Sequence, residues 1–231
     1  MKKYFNKLFN FINKIDARLG EKRMRRNPSR NLHNILWERA INQSADFVEK
    51  ELKNSLVFEN KLKMWNYSIK LVKDKYEKGI CLEFGVAGGN SINLFSKQMS
   101  NFQFIGFDSF VGLKEDWSGH HATKGTYSQD GILPTVNSNV KLLPGWFHET
   151  IPSFIKQNNL DDLCFIHIDG DTYEAAKTVF DELGSFLKPG TYILFDELIG
   201  YPNWQNGEYK ALMESKEKFN FSFKFRAFTT N

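Results

Sequence analysis

Apolar and polar positions along the chain follow three regimes. Phe5, Leu8, Phe9, Ile12, Ile15 and Leu19 recur at spacings of three and four, which predicts an amphipathic helix with lysines flanking one apolar stripe. Residues 31–78 keep a helical spacing, with Ser44 read as a cap before Ala45, Asp46 and Phe47, and a second helix from about Asn60 to Lys78, ahead of Gly79. Beyond Gly79 the period changes. Short apolar runs at 80–84, 102–107, 140–143, 163–168 and 191–195 predict strands, and the stretches 91–100, 151–159, 172–187 and 207–218 between and after them predict helices. Residues 219–228 alternate aromatic side chains with period two, as the closing strands of a hairpin would. Strands alternating with helices imply an α/β fold whose sheet is mostly parallel and covered on both faces, with ligands bound outside the carboxyl ends of the strands. The expected organisation is a basic helix and linker over 1–30, a helical cap, lid or oligomer surface over 31–78, and a ligand-binding core over 79–231.

Charge changes this picture only at the N-terminus. The chain of 231 residues carries a net +4, but residues 1–26 hold nine Lys/Arg against Asp16 and Glu21, or +7, leaving −3 on the remainder. Such a body makes no case for a nucleic-acid partner. The basic helix fits first a packing on its own subunit or on a neighbour in a homo-oligomer, and second a contact with an anionic membrane surface. No apolar run approaches the roughly 20 residues of a membrane span. Cys81 and Cys164 lie in separate strand-like runs and read as buried free thiols, in keeping with a cytoplasmic protein.

The chemistry concentrates at the predicted strand ends. Residues 80–91 read as strand, glycine-rich turn and helix: Gly85, Gly88 and Gly89 permit a sharp turn with close approach to a ligand, and Asn90 or Ser91 is placed to cap the helix. Glu83 and Gly85 end the first strand, Asp108 the second, Asp169 and Asp171 the fourth, and Asp196 and Glu197 the fifth. Six acids on one sheet edge repel one another unless a cation or polar ligand accounts for them, although Asp171 also suits a helix cap before Thr172. Asp108, 19 residues after Gly89, suits the paired hydroxyls of a ribose. The turn lacks G-x-G-x-x-G, and Glu83 would crowd a pyrophosphate, whereas it could accept from the ammonium of an amino acid. A nucleoside bearing an amino acid is therefore favoured over a dinucleotide.

Glu83-Phe-Gly-Val-Ala-Gly-Gly, Phe107-Asp-Ser-Phe-Val-Gly-Leu, Pro144-Gly-Trp-Phe, Ile168-Asp-Gly-Asp-Thr-Tyr-Glu and Phe195-Asp-Glu together resemble class I S-adenosylmethionine-dependent methyltransferases. They are most similar to the macrocin O-methyltransferase group, metal-dependent enzymes that methylate sugar hydroxyls. The resemblance covers about residues 79–215. It implies a Rossmann-like, doubly wound, seven-stranded sheet and an N-terminal helical extension. It further implies that Glu83, Gly85 and Ser91 hold the methionine part of S-adenosylmethionine, Asp108 the ribose and the Trp146 region the adenine, with Gly89 and Ser109 also in the cofactor-binding set. Asp169, Asp196 and Glu197 match positions that bind Mg²⁺, and Asp171 the position of a general base, with Asp169 beside it in the catalytic pair. Ala87 departs from a common glycine, and Glu197 from a common Asp.

The expectation is a cytoplasmic O-methyltransferase, peripheral at the inner membrane surface if the basic helix binds lipid, acting on a small-molecule or glycan acceptor. A catechol-type phenol methyltransferase, a nicotinamide-dependent oxidoreductase and a non-catalytic membrane-associated binding protein stay open. The segment 111–139 is a candidate lid, its His120 and His121 read first as exposed loop histidines and alternatively as substrate contacts or a base, and Tyr201–Tyr209 is expected to line the acceptor pocket. His167 is expected to be a packed, hydrogen-bonded residue.

Overall fold

A computed structural model describes residues 31–230. The basic helix expected over residues 1–26 lies outside them. Helix α1 (Leu32–Glu51) is followed by the short strand β1 (Leu56–Phe58), α2 (Lys61–Lys75), β2 (Ile80–Phe84), α3 (Asn90–Gln98) and β3 (Gln103–Asp108). Then come β4 (Val140–Pro144), α4 (Phe147–Gln157), β5 (Leu163–Ile168), α5 (Tyr173–Leu183), β6 (Tyr192–Phe195), α6 (Glu208–Phe219) and β7 (Ala227–Thr229).

Five strands form one parallel sheet in the order β4-β3-β2-β5-β6. The chain starts it in the middle with β2, builds outward through β3 and β4, and returns to the other side of β2 with β5. The switch point therefore falls between β2 and β5, where such sheets open a crevice at the carboxyl ends of their strands. Alternate side chains go to opposite faces. Leu82, Phe84, Ile105, Phe107, Ile166 and Ile168 pack under α4, α5 and α6, while Cys81, Phe104, Phe165 and Leu194 pack against α2 and α3. Burial on both faces explains why these strands read as continuous apolar runs. Cys81 and Cys164 are buried free thiols with sulfurs 3.8 Å apart.

The seven-stranded sheet with a closing hairpin is corrected. Of the tail, only Ala227–Thr229 forms a strand, and it pairs in parallel with Leu56–Phe58 in a separate two-stranded sheet. Phe223 and Phe225 meet edge to face at 5.2 Å, and Phe225 meets Phe47 of α1 at 5.9 Å, so the aromatic alternation serves packing rather than a ladder.

Three expected caps also differ. Ser44 lies inside α1, where its hydroxyl donates to the Ala40 carbonyl and accepts from the Gly200 N–H, so the helix runs through it. The residue preceding α3 is Gly89, in the left-handed region at φ 79° and with no side-chain cap, while Ser91 turns inward to another partner. Thr172, not Asp171, caps α5 by accepting from the Ala175 N–H. Asn60, read as the start of the second helix, instead caps it, its carboxamide oxygen accepting from the Lys63 N–H.

Candidate active site

Gly85 leaves β2 at φ +94°, and a Cβ placed there would overlap the Asp169 carbonyl and stand 2.6 Å from its carbon. The ends of β2 and β5 thus meet backbone to backbone. The Gly85 N–H donates to Phe107 O at 3.0 Å, and the Asp169 N–H to Phe84 O at 2.8 Å. This contact brings the glycine turn and the Asp169–Asp171 segment to one crevice. Asp171 itself is held at φ +64° and Ala87 at φ +43°, left-handed conformations that concentrate at functional turns.

A cavity of about 620 Å³ occupies the crevice, within the range typical of small-ligand sites. Of the expected cofactor residues, Gly85, Asp108, Ser109 and Trp146 line it, as do all four expected catalytic and metal acids, Asp169, Asp171, Asp196 and Glu197. Asp108 also holds the turn together. One of its oxygens accepts from the Val86 and Ala87 N–H groups at 2.8 and 2.7 Å, and the other from Phe110 N–H at 2.6 Å. Lys114 Nζ stands 5.7 Å from the centre of the Trp146 ring.

Glu83, Gly89 and Ser91 stand behind the cavity rather than on its wall. Glu83 is 1% exposed, with one oxygen accepting from Ser91 Oγ at 2.8 Å and the other 3.1 Å from His167 Nδ1. His167 is fully buried between β2 and β6, with Nε2 3.8 Å from Asp196 Oδ1. Burial alone would discharge this imidazole, but the neighbouring Asp196 and Glu83 carboxylates outweigh it and push the pKa up to about 10. A buried line of polar groups, Ser91–Glu83–His167–Asp196, therefore joins the glycine turn to the acidic edge.

Burial dominates the electrostatics of the acids themselves. It raises Asp171 to about 7, with Asp196 adding to the shift, and raises Asp169 and Glu197 well above the usual carboxylate range, again reinforced by Asp196. Burial works against the charge of Asp196 too, but His167 and Lys61 outweigh it and keep that carboxyl low. Ligand atoms of Asp169, Asp171 and Glu197 lie within 4.8 Å of one another, as do those of His167, Asp169 and Asp196. The expected trio of Asp169, Asp196 and Glu197 is thus spread over two sets that share Asp169. Glu197 Oε2 is buried without a hydrogen-bond partner, and hard carboxylate oxygens suit Mg²⁺, so the residues fit a divalent ion.

A second, larger cavity of about 1,520 Å³ shares Tyr127, Asp196 and Glu197 with the first and is walled nearby by Trp117, His120 and Tyr201. Of the stretch Tyr201–Tyr209, only Tyr201 is on the wall of this cavity, while Trp204 anchors the loop against Phe47 and Tyr209. The segment 111–139 contains no helix or strand and is tied by its own bonds, Leu113 N–H to Thr126 O and Trp117 N–H to Ala122 O, both 3.0 Å. Of its histidines, His120 stacks on Trp117 at 4.2 Å and on His121 at 4.1 Å.

Two residues escape sequence reading. Lys61 of α2 forms an ion pair with Asp196. Glu208, at the start of α6, is fully buried with neither carboxylate oxygen partnered, and burial, then Asp169, Asp171 and Asp196, raise its pKa well above the usual range. In sequence, Glu208 is an ordinary acid in a first helical turn, and Lys61 an ordinary surface lysine.

An open parallel sheet with a crevice of acids at its switch point defines a protein built to bind a nucleoside-sized ligand there. The profile of a family described as a methyltransferase domain matches residues 82–198, and the chain belongs to that family. It is 27% identical over 107 residues to the 8-demethyl-8-(2,3-dimethoxy-alpha-L-rhamnosyl)-tetracenomycin-C 4'-O-methyltransferase of Streptomyces olivaceus, covering 39% of this chain and 40% of that protein. It is 30% identical over 78 residues to the demethyldecarbamoylnovobiocin O-methyltransferase of Streptomyces niveus, covering 33% and 28%. The chain thus spans well under half the length of these relatives. The crystal structure of CalS11, a calicheamicin methyltransferase, shares the fold with a TM-score of 0.55 at 24% identity, over 66% of this chain and 69% of that one. No helix among the described residues is long and apolar enough to cross a membrane.

Proposed function

We propose that this protein is an S-adenosylmethionine-dependent O-methyltransferase that transfers a methyl group to a hydroxyl of a sugar or glycosylated small molecule. The observation that carries the reading is the meeting of the two cavities at Asp196, Glu197 and Tyr127 in a chain with a methyltransferase domain. One cavity is of nucleoside size and the other large and aromatic, with carboxylates at the junction. Both relatives are named as O-methyltransferases, and the rhamnosyl group in the name of the first supports a sugar-bearing acceptor.

In this reading Trp146 offers a ring face to the adenine, and Asp108 and Ser109 stand at the ribose. Glu83 and Ser91 act from behind the turn, fixing the backbone of Gly85 and the start of α3. The acceptor enters through the second cavity, where Trp117 and Tyr201 stack on it and exclude water. Its hydroxyl oxygen bonds to the methyl carbon as the carbon–sulfur bond breaks, and the hydroxyl proton passes to Asp171. A carboxylate raised to about 7 by burial is a stronger base than an ordinary Asp and suits that role near neutrality. Asp169, Asp196 and Glu197 would hold a divalent ion, which when bound lowers the pKa of the hydroxyl and orients it. Because an alkoxide and a sulfonium merge into neutral products, alignment is the main source of rate.

The test is calorimetric titration with S-adenosylhomocysteine and, in parallel, NADH, each with Mg²⁺ and with EDTA. Micromolar binding of the homocysteine nucleoside alone is expected, and Asp169→Ala or Asp196→Ala should keep that binding while losing transfer to glycoside acceptors. Binding of NADH alone would sink the reading.

A further inference from the structure

Of the four acids that line the cavity at the ends of β5 and β6, one carries a lysine. Lys61 Nζ pairs with Asp196 Oδ2, while Asp169, Asp171 and Glu197 have no ion-paired lysine or arginine among the described residues. The pair is lopsided: the Asp196 side chain is 5% exposed, that of Lys61 46%. The other Asp196 oxygen faces His167 Nε2 at 3.8 Å, so cationic or donor groups hold this carboxylate from both sides. Its ligand atoms accordingly group with His167 and Asp169, apart from the set of Asp169, Asp171 and Glu197. Glu208, with both oxygens buried and unpartnered, adds a further acid that acts electrostatically on Asp169, Asp171 and Asp196.

We propose that Lys61 is a tethered cation that occupies Asp196 when no divalent ion is bound and is displaced when that ion takes Asp196 as a ligand, so that this lysine sets the affinity of the metal site. The proposal rests on the metal-assisted reading above. Lys61 sits at the first position of α2, outside the sheet, on a long flexible stem beside the second cavity, so its ammonium can leave Asp196 without disturbing the strand ends. While there, it opposes a dication twice over: it fills one coordination position and adds a positive charge within a few ångströms. A unit charge at such a distance changes the affinity for a divalent ion by at least about tenfold, even at the effective dielectric of a partly solvated site. Lys61 is in this sense a positioning residue, acting through Asp196.

Mg²⁺ and Mn²⁺ are titrated calorimetrically into the EDTA-stripped, full-length wild type and into Lys61→Met, Lys61→Gln and Lys61→Arg at fixed ionic strength. The two neutral variants should bind at least about tenfold more tightly than wild type, and Lys61→Arg within about threefold of it, since only charge is removed in the former. Without metal the neutral variants should melt below wild type, because the acids lose their counter-charge, and on loading they should gain more. Unchanged or weaker metal binding in both neutral variants overturns the role of Lys61 while leaving the metal site standing. No metal binding by any of the four proteins, wild type included, overturns the metal reading and this proposal with it.

Discussion

Gly85→Ala is the sharpest perturbation the crevice offers, because the same turn supplies its own control. At Gly85 the backbone has φ +94° and an added Cβ would collide with the main chain of Asp169, 2.6 Å from its carbonyl carbon and 3.4 Å from Gly170 N. Neither neighbour is the free end of a side chain, so relief must come from moving the end of β2 or β5. The left-handed conformation costs roughly 1–2 kcal/mol for a residue with a Cβ, and forced overpacking about 1–3 kcal/mol more. A loss of about 2–5 kcal/mol is a large part of the stability of a typical domain. Gly88, three residues on, has open space around its Cβ position and no positive φ, so Gly88→Ala should match wild type within about 0.5 kcal/mol or exceed it slightly. Urea unfolding of the three proteins reads the difference directly as midpoint shifts at constant slope, about 1–2 M for Gly85→Ala. Because Asp169 moves with the strand end, the folded fraction of Gly85→Ala should also bind S-adenosylhomocysteine poorly. Equal stability of Gly85→Ala and wild type, or equal damage from the two substitutions, would refute the backbone contact on which the crevice is built.

Asp171→Asn keeps the side-chain shape and tolerates φ +64°, so the fold should hold while transfer falls by about 10²-fold or more, measured as S-adenosylhomocysteine release. The metal-free variant should also be more stable above pH 7, since wild-type Asp171, raised from 3.8 to about 7, loses stability as pH climbs through that window. His167 works in the same direction, as the loss of a stabilising charge rather than the gain of a destabilising one. Its pKa is raised from 6.5 to about 10, so its contribution is full below pH 6.5 and lost as pH rises through 10. Metal-free wild type should therefore lose up to about 5 kcal/mol over that span, a slope that His167→Gln should flatten in thermal melts. Trp146→Ala should weaken S-adenosylhomocysteine binding about five- to tenfold by calorimetry with little change in melting temperature; unchanged affinity would place the adenine elsewhere.

What could be read from the sequence follows from how local each feature is. Strands β2, β3 and β5 are buried on both faces, so their apolar runs announce themselves, and the acids that follow them fall at the crevice by the rule for parallel sheets. β1 is three residues with Leu56 and Val57 exposed, and it exists because a segment far along the chain pairs with it; no local pattern marks that. Ser44 resembled a cap because short polar residues compete with helical hydrogen bonds, yet its hydroxyl satisfies Gly200 N–H, a partner 156 positions away. The place of Glu83 before the turn suggests a ligand contact, yet its side chain points to the α2–α3 face, where His167 answers it, because residues of that parity on β2 face that side. Lys61 and Glu208 acquire their significance only through the tertiary structure that brings α2 and α6 to the strand ends.

The small β1–β7 ladder has a consequence in time. Leu56 pairs with Ala227, so three residue pairs bridge almost the whole described chain, while the five-stranded sheet can form without them. Contacts of such sequence separation are costly to close and rest here on few bonds, so the ladder belongs to the last stage of folding and the first of local opening. Among the amides bonded between strands, exchange should accordingly be fastest at Leu56 and Thr230, whose N–H groups bond to Arg226 and Phe58, and slowest in β2 and β5. Since Ala227, Phe228 and Thr229 also wall the second cavity, fraying of this clasp would admit a bulky acceptor while the crevice that binds the methyl donor stays folded.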